Sequence, residues 1–463
     1  MKTSIVILAA GEGSRMRSSL PKSLQPIAGK AMLQHLIDAI IPIDPNQTII
    51  VCSPEHQQQI ENAITHDDNK ELLFVQQDQP SGTGHAVKCA TPEVHTDNIV
   101  LVLLGDVPFV STKTLQKLIN SASNQHLALL TASIDNPVGY GRIIRNKHNE
   151  ITNIVEHEEC TEEQAAIVEI NSGIMAFPPN KAQHWLTRLS AKNHKGEYYL
   201  TDTIGFAAEE GVIIAASQPD FIEEVFGVNT KKQQAEAENI KRNQAADKLM
   251  EAGVTLADPK RIDVRGELVC GVDVFIDVNV VFQGKVELLD GVTVGPHSVI
   301  ANTKIGNSTQ ILSHCNLEEA IIGDNCVVGP FARLRPGSEL MQASKAGNFV
   351  EIKKSTIGQG SKVNHLSYVG DATVGSHANI GAGTITCNYD GANKYQTIVG
   401  DNAFIGSGVE LVAPIEIKEG ATIGAGSTIT KEAPKNKLTL ERAKQKTIET
   451  WKRPNKKITC VEL

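Results

Sequence analysis

The stretch VGSHANIGAGTITCNYDGANKYQTIVGDNAFIGSGVELVAPIEIKEGATIGAGSTIT (374–430) returns an apolar residue at every sixth position, often followed by glycine. Val399-Gly400, Ile405-Gly406, Leu411, Ile417, Ile423-Gly424 and Ile429 form one unbroken series, and Val374-Gly375 and Ile380-Gly381 another. A period of six fits neither an isolated helix nor a single alternating strand, but it suits a solenoid whose flat sides each take one short strand. The series also reads backward through Val264, Cys270, Ile276, Phe282, Leu288, Val294, Ile300, Ile305, Ile311, Ile322, Val328, Ile357, Val363 and Val369. The period therefore predicts one parallel β-helix over 252–436, a structure that gains its core only by stacking coils. Where the count slips, at 334–357 and 386–399, residues are expected to loop out.

The remainder of the 463 residues leaves room for one or two further domains. Low aromatic content (4%) and 37 glycines suit a turn-rich solenoid, and a net charge of −9 argues against general polyanion binding, so no nucleic-acid partner is expected. The early apolar run 5–10 ends in Gly11-Glu12-Gly13, too short for a secretory core, and no run approaches the roughly 18 apolar residues of a membrane helix. Eight cysteines without a CxxC pair suggest neither a disulfide framework nor a zinc site. These features predict a reduced, soluble, cytoplasmic protein with no membrane partner.

Over 1–229, strands expected at 4–9, 48–52, 72–76 and 99–104 alternate with helical stretches, which argues an α/β domain with a mostly parallel, Rossmann-like sheet. In such sheets ligands lie beyond the carboxyl ends of strands, here the loop after Ala10 and the Gly105-Asp106 pair. A connecting helix is expected over 230–251, with Thr230 and Gln233 as a capping box and Gly253 as its stop. The tail 437–463 carries Arg442, Lys444, Lys446, Lys452, Arg453, Lys456 and Lys457, read either as a solvated strip or as a contact for an anion or a neighbouring subunit.

Glycines of the Leu8-Ala9-Ala10-Gly11-Glu12-Gly13-Ser14-Arg15-Met16 run let backbone N–H groups approach phosphate, and Arg15 and Lys22 add positive charge. The third glycine of a dinucleotide fingerprint is missing, and so is a P-loop. The longer string, Gly11-x-Gly13-x-Arg15-Met16, Pro21-Lys22-x-Leu24, Pro26 and Gly29-Lys30-x-Met32, resembles the signature of sugar-nucleotide pyrophosphorylases. Gln77, Gly82-Thr83-Gly84-His85-Ala86, Gly105-Asp106, Gly139-Tyr140-Gly141-Arg142, Val155-Glu156, Asn171-Ser172-Gly173 and Gly227-Val228-Asn229 follow in that family's order. The resemblance implies that Leu8, Ala9, Ala10, Gly11, Gln77, Gly82 and Thr83 hold the uridine nucleotide, with Gly105 beside them. It implies that Gly141, Glu156 and Asn171 hold the amino sugar, that Arg15 and Lys22 act on the phosphates, and that Asp106 and Asn229 bind Mg2+. Related enzymes often carry a tyrosine where Leu104 stands and an acidic residue where Phe226 stands; Glu12 puts a carboxylate into the phosphate loop.

Three irregular strings interrupt the solenoid: Phe331-Ala332-Arg333-Leu334-Arg335-Pro336-Gly337, Gly347-Asn348-Phe349-Val350-Glu351-Ile352-Lys353-Lys354 and Asn364-His365-Leu366-Ser367-Tyr368. Basic residues on neighbouring coils can form a phosphate pocket, and a histidine beside one can act as a general base. On its own His365 is weak evidence, since a lone histidine in a repeat is more often a packed or surface residue. With the run 379–391 added, the strings resemble the acetyltransferase half of the bifunctional bacterial N-acetylglucosamine-1-phosphate uridylyltransferase/glucosamine-1-phosphate acetyltransferases, and the resemblance covers essentially the whole chain. It implies a left-handed β-helix of hexapeptide repeats and a homotrimer with acetyl sites between subunits. Arg335, Lys353, Tyr368 and Asn379 would bind the sugar phosphate, and His365 would take the proton of the attacking amine. Ala382, Asn388, Tyr389, Ser407, Ala425 and Arg442 would line the acetyl-coenzyme A site.

The expected substrates are glucosamine 1-phosphate, acetyl-coenzyme A, UTP and N-acetylglucosamine 1-phosphate. One rival reading is a uridylyltransferase whose solenoid only assembles subunits; another is a scaffold that binds sugar nucleotides without turnover.

Overall fold

The structure, a computed structural model, describes residues 2–11, 13–66 and 71–454. Glu12 of the phosphate loop, and Lys456, Lys457 and Cys460 of the tail, lie outside the described residues. The chain divides into two compact units, 1–245 with 264–266, and 246–263 with 267–463. The first division falls inside the Lys231–Glu251 helix.

In the first unit, strands run in the order Ile214–Ser217, Leu127–Ser133, Glu169–Phe177, Ile99–Leu104, Thr3–Leu8, Gln47–Cys52, Glu71–Gln76. Their alternating side chains feed two cores: Ile5, Ile7, Leu101 and Leu103 face the helices Met32–Ile40 and Thr112–Ser123, while Val6, Val100 and Val102 face Thr83–Ala90 and Ala182–Leu186. A sheet buried on both faces needs apolar residues at consecutive positions, which is why IVLVLL (99–104) reads as an unbroken run. The sheet is mixed, because Glu169–Phe177 runs antiparallel to both of its neighbours. Its pairing with Leu127–Ser133 shifts register between Asn171 and Met175, a bulge of the kind that re-aims side chains. Successive strands are added on one side of Thr3–Leu8 and then on the other at Ile99–Leu104, so the topological switch lies between the ends of these two strands.

The connecting helix begins at Lys231, with Thr230 Oγ1 accepting from the Gln233 N–H at 3.2 Å. The reciprocal bond of the expected capping box lands one residue earlier, as Gln233 Oε1 accepts from the Asn229 N–H at 2.9 Å. Gly253, at φ +92°, ends the helix as expected.

In the second unit, Ile276 pairs with Val294, Val294 with Ile311 and Ile311 with Val328, all parallel, so one coil takes 17 or 18 residues and has three sides of about six. The periodic residues from Ile276 to Ile429 are buried as the period requires. Two expectations need correction. Val264 and Cys270 are only half-buried and Ile262 points inward instead, because Ile262–Cys270 is the first strand of its sheet and has a neighbour on one side only. No loop leaves the solenoid at 334–357 either: Leu334, Leu340, Ala346 and Ile352 continue the inward series, and Leu340 pairs directly with Ile357. Ala346 is too short to have stood out as a core position. The slip at 386–399 does loop out, as Ile380 pairs with Ile405 and a bridge joins Tyr389 to Lys394. Among the described residues no helix is long and apolar enough to cross a membrane.

Candidate functional site

The cleft of the first unit sits at the topological switch. The Gly105 N–H donates to the Leu8 carbonyl at 2.9 Å, laying the loops after the two central strands side by side. A Cβ on Gly105 would come within 2.9 Å of that same carbonyl oxygen, so the close approach needs glycine. Gly13, at φ +61°, turns the phosphate loop back on itself, and a Cβ there would meet Lys22 Cβ at 2.7 Å. From the other end of the domain, the Val228 N–H donates to the Asp106 carbonyl at 2.9 Å and pins Asn229 beside Asp106.

Four predicted residues meet there. Lys22 Nζ pairs with Asp106 Oδ2 and donates to Asn229 Oδ1 at 2.6 Å, and Arg15 donates to the same Asn229 oxygen at 2.8 Å. One ammonium touching both oxygens shows that Asp106 and Asn229 converge on a point a cation can share. A carboxylate and an amide oxygen are hard donors, and two of them suit Mg2+, which keeps several waters and takes phosphate oxygens for the rest. The residues present therefore fit that ion.

Two cavities open on this point. One, of about 280 Å³, is lined by Leu8, Ala9, Ala10, Gly11, Gln77, Gly82 and Gly105; the other, of about 400 Å³, by Arg15, Tyr140, Gly141, Glu156, Asn171 and Asn229. Thr83, Leu104 and Asp106 line both, so the predicted nucleotide and sugar residues form adjoining compartments. Gln77 is held by its N–H to the Cys52 carbonyl at 2.9 Å, and its side chain donates to the Gly82 carbonyl at 3.3 Å. Thr201 Oγ1 donates to Glu156 Oε1 at 3.0 Å, while burial pushes the Glu156 carboxyl above its usual range. The Asn171 N–H donates to the Gly141 carbonyl at 2.9 Å, and its Oδ1 accepts from the Gly173 N–H at 3.0 Å. Tyr140, Thr201 and Glu197 also line the cleft, although the motif strings gave them no role. Phe226 packs with Met16 and Val228 outside the cavities.

The second candidate site is on the solenoid and is built from register. Asn348 pairs with His365 across one coil, and Asn348 Oδ1 lies 2.6 Å from His365 Nδ1. With the proton on Nδ1, this bond leaves Nε2 as the lone-pair nitrogen. The Gly383 N–H then reaches the His365 carbonyl, that of Gly408 the Ala382 carbonyl, and that of Gly426 the Ser407 carbonyl, at 3.2, 2.7 and 2.8 Å. His365, Ala382, Ser407 and Ala425, each preceding the same corner, therefore stand in line along the solenoid. Arg442 lies past the end of this column, its Cδ 3.9 Å from where a Gly426 Cβ would be.

A second column holds positive charge. Lys353 pairs with Gly370 one coil on, and Arg335 follows Leu334, which pairs with Ile352. Gly370 leaves room for Tyr368 and Asn388, as a Cβ there would stand 2.4 Å from the Tyr368 hydroxyl and 2.9 Å from Asn388 Nδ2. Lys394, which sequence reasoning missed, reaches in from the looped-out segment; contact with Lys353 holds its ammonium below the usual lysine range. Arg335 is paired with Glu351 at 3.0 Å. Tyr389 is exposed on the same loop. Asn379 belongs to the other sheet of the solenoid and is not brought to Arg335 and Lys353 within one chain.

Residues 5–164 match the MobA-like NTP transferase domain, and 302–336 and 396–431 match the bacterial transferase hexapeptide (six repeats). Over 453 residues the chain is 50% identical to a protein of Cupriavidus pinatubonensis described as "Bifunctional protein GlmU", covering 98% of this chain and 99% of that one. Proteins with the same description from Azoarcus sp. (49% over 452 residues) and Cellvibrio japonicus (50% over 453 residues) match 98% of this chain and 99% of their own lengths.

Proposed function

Since this chain belongs to the family of bifunctional GlmU proteins, the uridylyltransferase/acetyltransferases of UDP-N-acetylglucosamine synthesis, we propose a role for each residue of its two sites. The left-handed β-helix transfers acetyl from acetyl-coenzyme A to glucosamine 1-phosphate, and the nucleotidyltransferase domain couples the product to UTP with release of pyrophosphate.

In the solenoid, Arg335, Lys353 and Lys394 hold the sugar phosphate, with Tyr368 beside them. His365 Nε2 takes the proton of the amine as its nitrogen bonds to the thioester carbonyl carbon. The C–S bond then breaks, and the departing sulfur takes the proton that His365 accepted, so coenzyme A leaves as the thiol and His365 is neutral again. Asn348 is the positioning residue that keeps the lone pair on Nε2. Small side chains at Ala382, Ser407 and Ala425 leave the column open for the arm of the coenzyme, with Arg442 placed for one of its phosphates and Asn388 and Tyr389 on the overhanging loop. Asn379, on the other sheet, completes the site from a neighbouring subunit of a homotrimer.

In the cleft, the smaller cavity takes the uridine nucleotide and the larger takes the sugar, held by Gly141, Glu156 and Asn171. A phosphate oxygen of N-acetylglucosamine 1-phosphate attacks the α-phosphorus of UTP in line, and Arg15 and Lys22 neutralise the oxygens of the transferring group. Asp106 and Asn229 hold Mg2+, which when bound supplies further neutralising charge to the phosphates. No residue acts as nucleophile. The enzyme works in the cytoplasm.

The observation that supports the acetyl half most is the alignment of His365, bonded to Asn348, with the small-residue column. Its test is coenzyme A release from acetyl-coenzyme A with and without glucosamine 1-phosphate, the product identified by mass spectrometry. Release that requires the amino sugar is expected. Its absence from well-folded protein would leave a uridylyltransferase with an assembly solenoid.

A further inference from the structure

Lys22 makes two contacts that a phosphate-binding lysine does not need. Its ammonium pairs with Asp106 Oδ2 and lies 2.6 Å from Asn229 Oδ1, the two oxygens assigned above to the divalent ion. Arg15 adds a third cationic contact to the same Asn229 oxygen at 2.8 Å. The side chains of Lys22 and Asp106 are only 15% and 22% exposed, so solvent screens the pair little. An Mg2+ ion bonds its oxygens at about 2.1 Å and needs the same lone pairs. Ammonium and divalent ion would stand within about 4 Å of each other with little water between, a repulsion of several kcal/mol at the effective dielectric of a protein surface.

We propose that Lys22 is the built-in counter-ion of this site: its ammonium and the divalent ion exclude one another at Asp106 and Asn229. The inference rests on the reading of these two residues as the metal ligands. When the ion arrives with nucleotide, Lys22 and Arg15 are handed over to phosphate oxygens, so they neutralise the carboxylate in one state and the substrate in the other. The handover needs only side-chain motion, because Gly13 packs against the Lys22 stem and keeps it beside the phosphate loop. Two consequences follow from linkage. The ion alone binds weakly, and nucleotide and ion each raise the affinity of the other by the same factor.

The test is Mn2+ titration of the full chain, with free Mn2+ read by electron paramagnetic resonance, with and without UTP and with no sugar phosphate present. Lys22→Met is expected to bind Mn2+ alone at least tenfold more tightly than the wild type, and to gain less from UTP. Lys22→Gln, which keeps a donor for Asp106 without the charge, is expected to behave as Lys22→Met. This variant also serves if Lys22→Met does not fold. Asp106→Asn is expected to lose the ion. Unchanged or weaker Mn2+ binding in the Lys22 variants, with loss in Asp106→Asn, would leave the ligand reading standing and overturn the exclusion. Wild-type binding in Asp106→Asn would remove the ligand reading and the inference with it.

Discussion

The cleft and the column differ in how much chain is needed to build them. In the cleft, Lys22 meets Asn229 across 207 positions and Arg15 meets it across 214. On the solenoid, His365 meets Asn348 across 17, and Asn388 meets Asp371 across 17. The cleft residues come from single-copy loops that hold one another, with Asp106 bound through both its carboxylate and its carbonyl. The column residues each rest on the coil below, by the same backbone bond repeated. Damage should therefore be cooperative in the cleft and graded on the solenoid, and each site should fail without the other.

The sharpest way to break the comparison is to cross the two activities. Asp106→Ala is expected to lower UTP-dependent pyrophosphate release by about 10³-fold, from the loss of several kcal/mol of charge stabilisation, while coenzyme A release stays near wild type. His365→Ala is expected to do the reverse, with acetyl transfer falling by about 10²- to 10⁴-fold. Parallel assays of both products decide the point, and loss of both activities in either variant would refute separate sites.

A smaller effect tests the graded behaviour. Lys394→Ala should raise KM for glucosamine 1-phosphate about tenfold, the cost of one charge-assisted hydrogen bond, with kcat little changed. A fall in kcat at constant KM would move Lys394 out of the phosphate pocket and towards the reacting atoms.

The smallest expected effect belongs to the rim of the cleft. Burial, with help from Glu159 and Glu156, raises the Asp202 carboxyl from 3.8 to about 6. Between those values the native state binds more protons than the unfolded chain, so the contribution of Asp202 to stability falls as pH rises through this window. Asp202→Asn should accordingly stabilise the protein at pH 7.5 by about 1 kcal/mol, discounted because the side chain is half-exposed, and the gain should vanish below pH 4. Urea unfolding at the two pH values measures it. An equal gain at both would remove the ionisation as its cause.

The six-residue period and the glycine strings were legible because both are local: a coil repeats its inward residue every side, and a phosphate loop is contiguous. The same locality explains the errors. Val264 and Cys270 keep the period but lie on an edge strand, and Ala346 holds a core position with too little side chain to mark it. Leu104 departs from the usual family residue, and only the fold shows that it lines both compartments of the cleft.

The sequence by itself determined the fold class of each half and the residue types of both sites, since periodicity and contiguous motifs are properties of neighbours along the chain. Only the tertiary structure decided that Lys22 bridges Asp106 and Asn229, that Asn348 orients His365 and that Lys394 joins Lys353. Lys22 and Lys394 reach partners at separations along the chain that carry no repeat, and even for Asn348 and His365, one coil apart, the period does not say that the two side chains bond. The energies of these contacts depend on distance and on the water excluded around them, and the folded chain alone sets both.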